Sequence, residues 1–261
     1  MHILNEIIQQ KKAAIEKQKN QISRKDLEDM PFFPATCGSL NASIRSCEFG
    51  LIAEMKRKSP SAGILHKNLD PSKLASEYEQ NGAAGISVLT DHPFFGGTNQ
   101  DLLSVKQQVK IPVLRKDFII DEYQVFESKA IGADCILLIA SVLDKSHLLE
   151  LSIIAKALGL EVLMEIHEKE ELSKLNNEID ILGVNNRDLK KQRTDLSISE
   201  HLRPYLPNEI TVISESGIKT TADINFLRNL GYHGALIGES IVGNQNPGDK
   251  LRSLQFQTPV L

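Results

Sequence analysis

"IPVLRKDFIIDEYQVFESKAIGADCILLIA", residues 111–140, holds one full structural period. It opens on a short apolar run that ends in charged residues, continues through a polar stretch with helical periodicity, passes Gly132, and begins a second apolar run. Aliphatic and β-branched runs of this length read as strands, and the stretch between them reads as a helix closed by a glycine. Strand, helix and strand in that order predict a parallel βαβ unit.

Working outward, the same period recurs. Apolar runs stand at "LIAEM" (from 51), "GISVLT" (85), "IPVLRKDF" (111), "DCILLIA" (134), "EVLMEI" (161), "ILGVNN" (181), "TVISES" (211) and "GALIGE" (234). Between them lie helical patterns such as "PSKLASEYEQNGA" and "HLLELSIIAKALGL". Eight such units predict an α/β fold, a closed (β/α)8 TIM barrel of the usual size of roughly 250 residues. The alternative is an open doubly wound sheet, but no strand is followed by its GxGxxG turn. Residues 1–45 stand apart as an N-terminal helical extension, and 1–261 read as one barrel domain. In "ILNEIIQQKKAAIEKQ", Ile3, Ile7, Ile8 and Ile15 fall at helical spacing with lysines assigned to the opposite face. This helix is expected either to pack on the barrel or to cap its mouth. A Pro-rich connection, "DMPFFPATCGSL", follows.

Composition narrows the function classes. The formal net charge is -4, with both signs interspersed, so no electrostatic footprint for nucleic acid or membrane is visible. No apolar run is long enough to span a bilayer, and the N-terminus lacks a signal-peptide core. The three cysteines, Cys37, Cys47 and Cys135, have no zinc spacing, and the seven histidines form no HExxH pair. A cytoplasmic protein acting on a small molecule, without a metal, is the expectation.

In a barrel of this kind the C-terminal strand ends face the active site. Those ends read Glu54, Lys56 and Ser59; Thr90; Lys116 and Asp117; Glu165; Asn185, Asn186 and Arg187; Glu215, Ser216 and Gly217; Gly238 and Glu239. One ionisable residue at a strand end is commonly a structural ion pair, but such residues at most of the ends point to a site. Glycines in the seventh and eighth loops fit the phosphate position of the fold, where backbone N–H groups approach an anion, and Ser59 could add a hydroxyl. Converging lysines and glutamates suggest acid–base chemistry, with a lysine as general acid or as a Schiff base. The residues alone thus predict a phosphorylated small substrate and leave the reaction open.

"IAEMKRKSPSAG", "ISVLTDHPFFGGTNQDL", "PVLRKDFIIDEYQVFESKAIGAD", "EVLMEIHEKEEL", "LGVNNRDL", "ISESGI" and "ALIGES" occur in order over about residues 50–245. Together they resemble the successive signatures of indole-3-glycerol phosphate synthase. The resemblance implies a cofactor-independent carboxy-lyase of tryptophan biosynthesis. Its substrate, 1-(2-carboxyphenylamino)-1-deoxyribulose 5-phosphate, closes to an indole with loss of carbon dioxide and water. It further implies Lys116 as general acid toward the ketone and Glu165 in proton transfer. Lys56 would meet the substrate carboxylate, positioned by Glu54. Asn185 and Arg187 would bind substrate, while Glu215, with Ser216, would lie near its hydroxyls. Phosphate would rest on Ser59 and the backbone of Gly217, Gly238 and Glu239, and Phe95, Leu89 and Leu137 would wall the anthranilate ring. Departures are small: Arg115 precedes the lysine where the family varies, and Glu239 replaces a serine of some members. The resemblance also suggests a monofunctional chain, a monomer or weak homodimer. The competing readings are another phosphate-binding barrel, such as phosphoribosylanthranilate isomerase or tryptophan synthase α, and a catalytically inactive barrel that only binds a phosphate ligand. The latter should have lost an acid–base residue, and none is missing.

Overall fold

Eight parallel strands close into a barrel in the computed structural model, which describes residues 3–60, 63–66, 68–188 and 193–255. They are β1 (Gly50–Met55), β2 (Gly85–Leu89), β3 (Val113–Lys116), β4 (Cys135–Ile139), β5 (Glu161–Ile166), β6 (Ile181–Asn185), β7 (Thr211–Glu215) and β8 (Gly234–Ile237). Each of the eight apolar runs supplies one strand. Each strand pairs with its neighbours in sequence, and β8 returns to β1 with Gly50 opposite Gly234. The fold is therefore a (β/α)8 barrel.

Side chains alternate across a strand, so every strand serves two layers. Leu51, Ile86, Val88, Ile136, Val162, Met164 and Val212 join the apolar layer shared with the helices. Ile52, Leu114, Leu137, Leu163, Ile181, Ile213 and Leu236 fill the barrel itself. Burial of both faces explains why the runs are continuously apolar rather than alternating.

Helices α1 (Ile3–Gln21), α2 (Arg24–Glu28) and α3 (Leu40–Arg45) precede the barrel. The others are α4 (Pro71–Gln80), α5 (His92–Phe95), α6 (Asn99–Gln108), α7 (Glu122–Ala130), α8 (Lys145–Ala157), α9 (Ser197–Leu202), α10 (Thr221–Asn229), α11 (Glu239–Val242) and α12 (Pro247–Gln255). Asp70, Asp121, Asp144 and Thr220 cap α4, α7, α8 and α10, each side chain accepting a first-turn backbone N–H. Behind α7 the chain turns at Gly132 in the left-handed region (φ 90°), which a residue with a Cβ adopts only under strain. After β5 the alternation weakens to a 3-10 helix, Lys169–Lys174. That polar segment has no buried residue, so no apolar stripe could bind a longer helix to the sheet.

Both placements expected for the extension are realised by one helix. Ile15 packs with Leu27, Tyr123, Phe126 and Ala130, fixing the second half of α1 beside α7. Ile3, Leu4 and Ile7, in its first half, line the mouth cavity. The assignment of the lysines to a solvent face fails at Lys11. It lies one turn from Ile7 and Ile15, and its ammonium contacts Asp91 (2.8 Å) and Asp117 (2.7 Å) with 12% of the side chain exposed. Two carboxylates offset the cost of burying that charge, a compensation helical spacing cannot reveal.

At the opposite end, α3 stoppers the barrel. Leu40 and Ile44 are fully buried within the interior cluster. Ser39 donates to Glu161 (2.5 Å), the Asn41 N–H donates to the same carboxylate (2.8 Å), and Arg45 donates to Thr211 (2.6 Å). A Cβ on Gly85 would overlap Leu40, so the close approach of this stopper depends on glycine there. No helix among the described residues is long and apolar enough to cross a membrane.

Candidate active site

Lys116 is the last residue of β3, and its side chain enters the barrel mouth. Its ammonium hydrogen-bonds Glu165 of β5 at 2.8 Å and lies 3.1 Å from Glu215 of β7. Burial works against the charge, but Glu165, Glu215 and Glu54 outweigh it and hold the lysine above its ordinary value.

The two glutamates share one cation unequally. Burial disfavours the Glu165 carboxylate, yet Lys116, His167 and hydrogen bonds from Lys116 and Asn185 bring it down to about 2. Glu215 is pushed up to about 8, first by burial, against the pull of Lys116, and further by the charges of Glu165 and Glu54. Asn185 is oriented for its contact because its Oδ1 accepts the Arg187 N–H (3.0 Å). On β1, Glu54 pairs with Lys56 at 2.8 Å, both largely buried. Of the charges in "LIAEMKRKS", Glu54 and Lys56 thus occupy the barrel mouth, whereas Arg57 pairs with Asp101 and Lys58 donates to the Pro93 carbonyl outside it.

Glycines make room for these carboxylates. A Cβ on Gly183 of β6 would overlap Glu215 Oε1, and one on Gly238 would overlap Glu54 Oε1. Gly238 follows β8 as a candidate phosphate residue, whereas Gly183 escapes a reading of strand ends because it sits inside its strand.

A cavity of about 620 Å³ opens above this cluster. It is lined by every residue to which the family resemblance gives a role: Glu54, Lys56, Ser59, Leu89, Phe95, Lys116, Leu137, Glu165, Asn185, Arg187, Glu215, Ser216, Gly217, Gly238 and Glu239. Its size suits a substrate of some two dozen heavy atoms. Phe118 also lines it, its ring centroid 6.2 Å from that of Phe95. Period-two alternation from Lys116 would have found Phe118. The same alternation from Glu165 leads to His167, another lining residue.

Some strand-end residues serve other purposes. Thr90 donates to Asp117 (2.6 Å), and Arg115 joins Asp117 (3.2 Å) and Glu127 (2.6 Å) in a buried network that Lys11 completes. Burial alone would raise Asp117, but Lys11 and Arg115 bring it down to about 2. Asn186 turns away from the cavity: its amide donates to Ser214 Oγ (2.8 Å) and to the carbonyls of Glu215 (3.0 Å) and Ser216 (3.1 Å). It thereby holds the end of β7, where Ser216 (φ 68°) and Gly217 (φ 80°) both enter the left-handed region. Ser216 is the one non-glycine residue in that region among those described, and such strain gathers at functional sites. Ser240 donates to the Ile218 carbonyl (2.8 Å), joining the seventh and eighth loops. At the rim Arg187 lies 3.5 Å from Glu239, so the Glu239 side chain has an ionic partner of its own. Ser59 stands in a short hairpin, Lys58–Ser59 against Gly63–Ile64, and Arg57 anchors the hairpin's base to Asp101 (2.5 and 2.9 Å).

Comparison with known proteins supplies the context. The sequence model of the family indole-3-glycerol phosphate synthase matches residues 4–254. A protein of that name from Bacteroides thetaiotaomicron is 41% identical over 251 residues, covering 96% of each chain. Another from Alkaliphilus metalliredigens is 42% identical over 262 residues, covering 97% of this chain and 98% of the relative. Among solved structures, 3-hexulose-6-phosphate synthase from Salmonella typhimurium aligns with a TM-score of 0.63 at 15% identity, over 79% of this chain and 97% of that one. At that identity the likeness concerns the fold alone.

Proposed function

Because the chain belongs to the indole-3-glycerol phosphate synthase family, we propose that the residues at its barrel mouth close the indole ring of 1-(2-carboxyphenylamino)-1-deoxyribulose 5-phosphate. The observation that carries this reading is Lys116 set between Glu165 and Glu215. As the ring carbon bearing the carboxylate attacks the ketone, negative charge develops on the ketone oxygen. An ammonium supplies both a proton and a compensating charge there. A Schiff base needs a neutral amine, and the upward shift of Lys116 works against one. An alkoxide is basic enough to take a proton even from a lysine held in this way.

Glu165 then exchanges protons with Lys116 and the intermediates. Lys56, oriented by Glu54, receives the substrate carboxylate until carbon dioxide departs. Asn185, Arg187 and Glu215 bind and align the chain of the sugar, with Ser216 beside them. Ser59 and the backbone of Gly217, Gly238 and Glu239 hold the phosphate, and Leu89, Phe95 and Leu137 enclose the aromatic ring. These steps require no cofactor. The same reading covers one domain over 1–261, acting in the cytoplasm on a phosphorylated small molecule rather than on nucleic acid or membrane, as a monomer or weak homodimer.

The test is turnover of this substrate followed by indole fluorescence, against little background because the chain contains no tryptophan. We expect signal from the parent, and from Lys116→Ala a loss of kcat of about 10²-fold or more with KM nearly kept. Substrate binding without signal from the parent would favour the inactive-barrel alternative. Near-parental turnover by the variant would remove Lys116 from its role.

A further inference from the structure

Ring closure, on the reading above, has a proton balance that the residues named so far leave open. The ketone oxygen departs as water and takes up two protons. One is returned from the methylene carbon between nitrogen and ketone, which ends as a ring C–H. The other comes from solvent, because an anionic carboxylate leaves as neutral carbon dioxide while its bonding electrons restore the aromatic ring. Each turnover therefore consumes one proton. The groups that would receive it are enclosed: Glu165 is 3% exposed, and a substrate seated in the cavity would cover the mouth side of the cluster.

His167 stands between Glu165 and a second carboxylate. Its Nε2 is 3.6 Å from Glu165 Oε1, and its Nδ1 is 4.0 Å from Glu171 Oε2. Glu171 belongs to the 3-10 helix that follows β5, and its side chain is 14% exposed. It is held in place by the backbone N–H groups of His167 (2.6 Å) and Glu168 (3.4 Å). Both imidazole nitrogens are buried, and neither makes a hydrogen bond to a protein group among the described residues. Lys116 and Asn185 contact Glu165 from β3 and β6. An imidazole can accept a proton on one nitrogen while releasing one from the other, and proton-transfer contacts in substrate-free enzymes are often longer than in the substrate complex.

We propose that His167 carries the solvent proton consumed in each turnover to Glu165. It accepts the proton at Nδ1, on the Glu171 side, and releases one from Nε2 to the Glu165 carboxylate. After rotation of the carboxyl group, Glu165 passes a proton across the 2.8 Å contact to the Lys116 amine left by protonation of the ketone. Only N–H and O–H bonds form and break and no electrons leave the system; the transfer converts His167 from its Nε2–H to its Nδ1–H tautomer, and a ring flip or proton exchange with solvent restores the first form before the next turnover. His167 acts through Glu165 and is thus a positioning and relay residue.

Chemical rescue tests the proposal. In His167→Ala, kcat should fall about tenfold or more with KM changed less than about threefold, and added imidazole should restore kcat in a saturable way. Imidazole should leave the parent enzyme unaffected. His167→Asn, subjected to the same titration, serves if the alanine variant does not fold, with thermal melting as the check. Parental kcat in the variants, or a loss that imidazole does not restore, would overturn the relay while leaving the reaction intact. Absence of indole formation by the parent would overturn the reaction and the relay together.

Discussion

Gly183→Ala places a methyl group where the structure has no space for one. The new Cβ would overlap Glu215 Oε1 and stand 3.0 Å from Leu163 Cδ2 and 3.3 Å from Glu215 Cδ. Leu163 is fully buried in the barrel interior, so the carboxyl group is the neighbour with freedom to yield. To regain an ordinary contact of about 3.5 Å, the oxygen has to withdraw by about 1 Å. A misplacement of that size at a reacting centre costs about 10²-fold in rate, or about 2.7 kcal/mol of barrel-mouth preorganisation. Overpacking should also lower stability by about 1–3 kcal/mol. Steady-state indole fluorescence reads the first effect and chemical denaturation the second. A double-mutant cycle isolates the cause, because Glu215→Asp withdraws the colliding oxygen by one methylene. In that background Gly183→Ala should cost little further activity. An equal loss in both backgrounds would refute the argument that glycine is there to admit Glu215.

Two further outcomes follow from the buried charges. Glu215, raised to about 8 in the folded state, stabilises the fold fully below the unfolded carboxyl value near 4.3 and loses that contribution as pH rises toward 8. Glu215→Gln, which does not ionise, should therefore gain stability relative to the parent between pH 5 and pH 9, on the order of a few kcal/mol. Denaturation midpoints that keep a constant difference across this range would contradict the assignment. Lys11→Met leaves Asp91 and Asp117 without their shared cation and should cost about 3–5 kcal/mol. Amide exchange in the first half of α1 should quicken and KM should rise, and unchanged exchange there would show that Lys11 does not anchor the roof.

The strands were legible because each barrel strand is buried on both sides and so writes a dense apolar run into the chain. The strand ends were legible because an ionisable residue beside such a run is conspicuous. Alternation limited this reading at Thr90 and Asn186, which adjoin residues of the cavity but turn toward Asp117 and the end of β7. His167 continues the inward face from Glu165 but lies at the start of "HEKEEL", a polar run that resembles solvent-facing helix. The hairpin at Lys58–Ser59 and Gly63–Ile64 is too short to show any period. Lys11 was hidden for another reason: its partners are Asp91 and Asp117, and nothing in a helical pattern marks a lysine as paired over such separations.

The stopper at the base of the barrel bears on how the chain is made. α3 is among the earliest segments to leave the ribosome, yet its hydrogen bonds run to Glu161 and Thr211, 120 to 170 residues downstream. Contacts this distant form late, after the intervening loops have been closed. During synthesis, then, Leu40 and Ile44 have no finished cylinder to enter until β8 emerges and closes on β1, and the first helices to appear are among the last to be seated. Until that moment the nascent chain exposes the apolar face of its own plug, which makes the interval between the emergence of β1 and β8 its most aggregation-prone stage.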